Sequence, residues 1–232
     1  EPEHVIAINK PSGMHSHPHS PAELDTAVNA AAALFPICAE AMNLEKPLEG
    51  SLVHRLDRGT SGILVFARTP QAFHELKKHW REEDSEKIYV AKLTTPLDFA
   101  GRVSCHLWHD PKNNARMLAG SAAPRSTETW ETKTSIRPIS GTDLALVRIH
   151  TGVTHQIRAT CAALGAPLVG DHLYAEEKKL AEVHHERLDP ETAARFDKLG
   201  KSAREVFTST SEREFWLHAL WLRIASYKEL AD

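Results

Sequence analysis

The 232-residue sequence predicts an α+β fold, with a mixed, mainly antiparallel central β-sheet and flanking helices. Three observations carry this. Helical and extended patterns follow one another without the regular βα alternation of a parallel sheet. The middle of the chain holds short β-like segments separated by turn formers such as Pro96, Pro111, Gly120 and Gly141. Two segments carry strong helix-boundary signals, Thr69-Pro70 and Gly165.

Taken in order, HVIAINK reads as a strand closed by Pro11, Ser12 and Gly13. Residues 16–22 contain two prolines and read as a loop. Asp25 or Thr26 caps an alanine-rich helix ending near Phe35. LVHRLD and GILVFAR read as strands around the Gly59–Gly62 turn. Pro70 stands at a first helical position, and Phe73, Leu76 and Trp80 recur at helical spacing through QAFHELKKHWRE. EKIYVAKL, RVSCHLWH, STETWETKTSI and DLALVRI are the middle strands. THQIRATCAALG is a helix that stops at Gly165, and EFWLHALWLRIA is the closing strand. Residues 1–232 read as one domain, with a charged helical insertion at about 176–215 that resembles a solvated or flexible arm.

Composition narrows the class. Apolar residues make up 41% and charged residues 25%, the balance of a soluble globular protein. No apolar run reaches the roughly 20 residues of a membrane span, and no basic-then-apolar leader opens the chain. The opening EPEHVIAINK is what a trimmed preceding segment would leave. Three widely spaced cysteines, Cys38, Cys105 and Cys161, favour a reducing compartment over a disulfide framework, so the cytoplasm is expected. A net charge of -3 argues weakly against a nucleic-acid partner, although a local basic face can hide in it.

Two segments carry chemistry. In VHRLDRGTSGILVFAR, at 53–68, Asp57 lies between Arg55 and Arg58 before a glycine-containing turn. One reading is a turn anchored by an ion pair. The other is a carboxylate kept ionised in an enclosed site, serving as base or nucleophile. Arg55 and Asp57 are two apart and in a strand would share a face. In HTGVTHQIR, at 150–158, Arg158 falls at a helix start, where the dipole opposes a cation. A carboxylate elsewhere in the fold would compensate it. The alternative is a capping or surface arginine.

With these segments the chain resembles the RluA family of RNA pseudouridine synthases. HRLDRGTSG at 54–62 is similar to the signature around that family's catalytic aspartate. AINKPSGMHSHP at 7–18, KIYVAKL at 87–93, HTGVTHQIRATCAALGAPLVGDHLY at 150–174 and LHALWL at 217–222 are similar to its other blocks, in the same order. The resemblance implies the pseudouridine synthase fold, with Asp57 as the catalytic aspartate. It implies substrate-binding roles for Arg55 beside the flipped-out nucleotide, Tyr89 against the target base, and Arg158 paired with the aspartate. It implies RNA, rRNA or tRNA, as partner, with no DNA, no membrane and no cofactor or metal, and a monomer is expected. Val153 departs from the pattern, which has Arg or Lys after the glycine of the His-Gln block.

Other residues are read more plainly. His15, His17 and His19 in HSHPH are expected in a solvent-facing loop rather than around zinc or nickel. Lys10 is read as a phosphate contact or a surface lysine. Lys77, Lys78, His79 and Arg81 form a solvated helix face with some prospect of touching phosphates. Trp108, Trp130, Trp216 and Trp221 are assigned to the core, and Cys161 to a small buried position. Two rival functions stand beside the synthase. A glycosidase-like enzyme would want a second carboxylate, which these motifs lack. A catalytically inactive RNA-binding protein of the same fold would not need Asp57, Tyr89 and Arg158 together.

Overall fold

The structure, a computed structural model, describes residues 4–39, 45–80, 85–122, 127–175, 185–207 and 215–224. The chain forms two compact units. One comprises residues up to Glu86 together with those from Trp221 onward, and the other runs from Lys87 to Leu220.

In the first unit, β1 (Val5–Lys10) pairs antiparallel with β2 (Ser61–Ala67), from Val5 opposite Ala67 to Lys10 opposite Gly62. α1 (Ala27–Leu34) starts at Thr26, whose hydroxyl accepts from the Asn29 N–H. Pro36–Ala39 and Pro47–Glu49 are short 3-10 turns. α2 (Pro70–His79) is capped by Thr69, whose hydroxyl accepts from the Ala72 N–H at 3.1 Å. Phe73 and Leu76 recur on its inner face and pack with Val53, Val65 and Ala67. Burying side chains of this size stabilises by roughly 1.5–3 kcal/mol each.

LVHRLD departs from the strand reading. Leu52 makes a single bridge to Phe66, and the chain then leaves the ladder. The His54 ring accepts from the Val65 N–H at 3.3 Å and stacks on Trp80. Residues 53–54 form a bend, 55–57 have no regular structure and 58–59 form a turn, so the same-face argument from a strand for Arg55 and Asp57 does not apply. α2 also ends at His79, which is buried rather than solvated, and Arg81 lies outside the described residues.

In the second unit, β3 (Glu86–Lys92), β4 (Gly101–Asp110), β5 (Asn113–Gly120), β6 (Trp130–Pro138) and β7 (Leu144–Ile149) line up in the order β3-β7-β6-β4-β5. Every neighbouring pair is antiparallel. β3 contributes all but its first residue, Glu86, to this unit. β5 escaped the sequence reading because NNARMLAG opens on polar residues without alternation. α3 (Gln156–Ala163) is buried along its whole length. β8 (His185–Glu186) adds to β4.

α4 (Pro190–Glu205) falls in the segment read as a solvated or flexible arm. Its Thr192, Phe196 and Ala203 are buried. The Arg148 guanidinium donates to the Thr192 hydroxyl at 2.7 Å, and Arg137 pairs with Asp197 at 2.9 Å. β9 (Leu217–Arg223) closes the described chain. The four tryptophans assigned to the core are half-buried. Among the described residues no helix is long and apolar enough to cross a membrane.

Candidate active site

The turn bearing Asp57 is held on both sides by the segment that follows β1. The Ser16 hydroxyl donates to the Leu56 carbonyl at 2.6 Å and accepts from the Leu56 N–H at 3.0 Å. The Gly13 N–H and the Lys10 ammonium both donate to the Arg58 carbonyl, at 2.9 and 3.1 Å. The Ser12 hydroxyl donates to the Gly59 carbonyl at 2.7 Å, and Arg58 Nε returns a bond to the Gly13 carbonyl at 3.0 Å. A further bond, Thr60 N–H to Asp57 carbonyl, closes the turn itself. The half-buried Asp57 carboxylate is therefore carried on a backbone whose neighbours on either side are pinned.

Lys10 corrects its sequence reading. It is neither a surface lysine nor placed for phosphate, since it is fully buried. Its ammonium donates to the carbonyls of Pro11, Met14 and Arg58 at 2.9, 2.7 and 3.1 Å. Such charge-assisted bonds offset the cost of burying the cation. Arg55 is exposed; its guanidinium faces His17 Nε2 at 3.2 Å and Glu49 at 3.8 Å. Glu23, further along the same loop, accepts from the His19 N–H, which holds its carboxyl below the usual carboxylate range.

In the second unit, Tyr89 stands on β3 opposite Val147 and is buried. Arg158 lies in the first turn of α3. Its Nε and Nη2 donate to Asp171 Oδ2 and Oδ1 at 2.7 and 2.9 Å. The guanidinium also sits over the rings of Phe215 and Tyr174, at 4.3 and 5.1 Å from their centroids. The turn at Gly170, with φ at 83°, brings Asp171 to this position. Asp171 was not singled out in the sequence; the only local signal was a Gly-Asp pair after an apolar stretch.

The N-terminus of α3 is braced from within. Gln156 is buried, and its amide donates to the Lys133 carbonyl and the Thr134 hydroxyl at 3.2 and 3.0 Å. His155 adopts a left-handed conformation with φ at 56°, and its Nδ1 meets the Tyr174 hydroxyl at 3.0 Å. Val153 packs against the cluster of Cys105, Leu107, Met117 and Tyr174, which accounts for an apolar residue there. Burial, aided by the Asp171 charge, pushes the Cys161 thiol up to about 12, so this cysteine is an inert packing residue. Desolvation also lowers the Lys87 ammonium to about 8.

Comparison with known proteins follows the same lines. The profile of the RNA pseudouridylate synthase family matches residues 4–163. Ribosomal large subunit pseudouridine synthase D of Xylella fastidiosa is 34% identical over 180 residues, covering 78% of this chain and 52% of that protein. The dual-specificity RNA pseudouridine synthase RluA of Yersinia pestis is 31% identical over 180 residues, covering 77% and 81%. The chain spans about half the length of the first of these relatives. Human RNA Pseudouridylate Synthase Domain Containing 1 shares the fold, with a TM-score of 0.60 at 24% identity over 97% of this chain and 76% of its own. On the profile match and these identities, the chain belongs to the RNA pseudouridylate synthase family, in its RluA branch.

Proposed function

We propose that the protein isomerises specific uridines in structured RNA, rRNA or tRNA, to pseudouridine. The observation that carries this is Asp57, present within a family match over 4–163 and held on a turn whose neighbours are pinned by Lys10, Ser12, Gly13 and Ser16. The reaction breaks the bond between the ribose and uracil N1. The base turns, a new bond forms from the ribose to carbon 5, the carbon-5 hydrogen leaves as a proton to solvent, and N1 takes up a proton. Asp57 is the catalytic carboxylate in this reading, and Arg55, Tyr89 and Arg158 bind the substrate. Arg55 is exposed on the same turn and suits a nucleotide drawn out of its stack. Tyr89 offers a ring to the uracil. The family resemblance gives Arg158 the Asp57 carboxylate as a partner, in addition to the Asp171 pairing described above.

Residues 1–232 act as one catalytic domain in this proposal. It works as a cytoplasmic monomer on RNA rather than DNA, with no metal or organic cofactor in the isomerisation. Relatives named for large-subunit rRNA favour that substrate over tRNA, although the Yersinia pestis relative is named as dual-specificity.

The deciding experiment is tritium release from carbon-5-labelled uridine RNA. The parent protein displaces the label while the base stays attached to the chain. Asp57→Asn lowers this by at least about a thousandfold, the scale of losing a group that performs the chemistry, with circular dichroism and RNA affinity close to the parent's. Activity of the variant within tenfold of the parent would remove Asp57 from the mechanism.

A further inference from the structure

His15, His19 and Glu23 lie on the loop between β1 and α1. The sequence reading expects His15, His17 and His19 in a solvent-facing loop rather than around a metal, but the fold gathers His15 and His19 with Glu23. Both ring nitrogens of His17 are engaged elsewhere: its Nδ1 faces the Pro18 carbonyl at 2.9 Å and its Nε2 takes the Arg55 guanidinium at 3.2 Å. Glu23 takes the third place. Its Oε1 is 3.8 Å from His15 Nε2 and its Oε2 is 3.4 Å from His19 Nδ1. One ligand atom from each residue lies within 4.8 Å of the other two. The rings of His15 and His19 meet edge-on, 4.5 Å between centroids.

These spacings match a small coordination sphere. Ligand atoms at about 2.0–2.1 Å from a tetrahedral zinc stand roughly 3.4 Å apart. Two of the contacts are already 3.4 and 3.8 Å, and all three ligand atoms lie within 4.8 Å of one another. The backbone N–H of His19 donates to Glu23 Oε2 at 2.8 Å, so the carboxylate is already fixed beside the His19 ring. Two imidazoles with one carboxylate suit zinc and its first-row neighbours rather than magnesium or calcium.

We infer that His15 Nε2, His19 Nδ1 and the Glu23 carboxylate form a binding site for a divalent first-row transition cation, zinc first, with water in the fourth position. The site is separate from the isomerisation, which in the function proposed above uses no metal. Its place in the fold gives it a mechanical role. The loop it closes is the one whose Ser12, Gly13 and Ser16 hold the backbone on both sides of Asp57. A cation here ties the far end of that loop, from His15 to Glu23, and stiffens the brace. That consequence for catalysis rests on the function proposed above; the binding itself does not.

The competing account is a plain ion pair between protonated imidazoles and Glu23. Calorimetric titration of the full chain with zinc chloride at neutral pH, after tag removal and chelator treatment, separates the two. One saturable equivalent is expected. His19→Ala and Glu23→Gln each weaken it by more than the roughly 10–100-fold that loss of an outer-shell partner costs, while His74→Ala, on exposed α2 surface, leaves it unchanged. Cobalt(II) in place of zinc gives the visible absorption of a tetrahedral centre, and His19→Ala abolishes it. Absence of saturable binding, or binding undiminished in both cluster variants, overturns the site and leaves the ion pair. None of these readouts involves turnover, so they stand apart from the test of Asp57.

Discussion

Arg158 and Asp171 form a two-point ion pair, Nε to Oδ2 at 2.7 Å and Nη2 to Oδ1 at 2.9 Å, with side chains only 8% and 1% exposed. The cation sits at the start of α3, where the helix dipole opposes it. Asp171 compensates that, and the faces of Tyr174 and Phe215 cover the guanidinium. Removing the carboxylate charge leaves a buried cation poorly matched. Asp171→Asn is expected to lower the unfolding free energy by about 3–5 kcal/mol. Arg158→Lys, which keeps the charge but loses the planar fork, should fall between the parent and Arg158→Met. Urea denaturation of the four proteins measures this. A change below about 1 kcal/mol for Asp171→Asn would place the pair with surface ion pairs.

Lys10 serves three carbonyls at once, and one of them belongs to the residue after Asp57. Lys10→Met keeps the bulk and removes every donor. Stability should fall by about 3 kcal/mol, since bonds from charged groups contribute roughly 1.5–3 kcal/mol each and are not additive. Tritium release should fall further than stability explains, because the Arg58 carbonyl loses a tether. Full activity in the folded variant would show that the Gly13 and Ser16 bonds suffice.

Val153 replaces the basic residue of the RluA-type pattern and packs beside Tyr174. Val153→Arg should tighten RNA binding. It should also steepen the fall of log affinity with log salt by about 0.7–0.9, the increment of one new phosphate contact. Filter binding across a salt series reads this directly. An unchanged slope would mean the position does not face the RNA backbone.

His150 has its pKa lowered to about 4 by desolvation first, then by the charges of Arg148 and Arg102. Its Nε2 lies 3.0 Å from the Ser135 hydroxyl. The folded state thus binds its proton less readily than the unfolded chain, whose histidine titrates near 6.5. Its stabilising effect is complete above about 6.5 and is lost as pH falls from there towards 4. After discounting for partial exposure, the loss is about 1 kcal/mol. His150→Gln should flatten the acid limb of the stability profile in that window. Parallel limbs for parent and variant would assign the acid sensitivity to other groups.

Much of the architecture is local and could be read from the chain. Thr69-Pro70 with Phe73 and Leu76 specifies α2, because a cap, a preset φ and a 3.6-residue period all act within one or two turns. The extended segments of β3, β4, β6 and β7 follow from short β-like runs between turn formers. Asp57, Arg55 and Arg158 stood out by charge placement, but their roles, and Tyr89 altogether, came through motif resemblance, which records outcomes of folding that no local rule contains.

Tertiary contacts decided the rest. LVHRLD has the composition of a strand, yet it leaves the ladder after Leu52, and Ser16, forty positions earlier, instead satisfies both backbone groups of Leu56. The α4 segment looks solvated by charge count, yet Thr192, Phe196 and Ala203 face inward and Arg137 and Arg148 hold it. Lys10 reaches a carbonyl 48 positions away, and Arg158 pairs with a carboxylate beyond the end of its own helix. Propensity and periodicity report the energy of a residue with its near neighbours. A buried charge is instead governed by whichever partner the fold brings within 3 Å, and sequence separation places no limit on that distance.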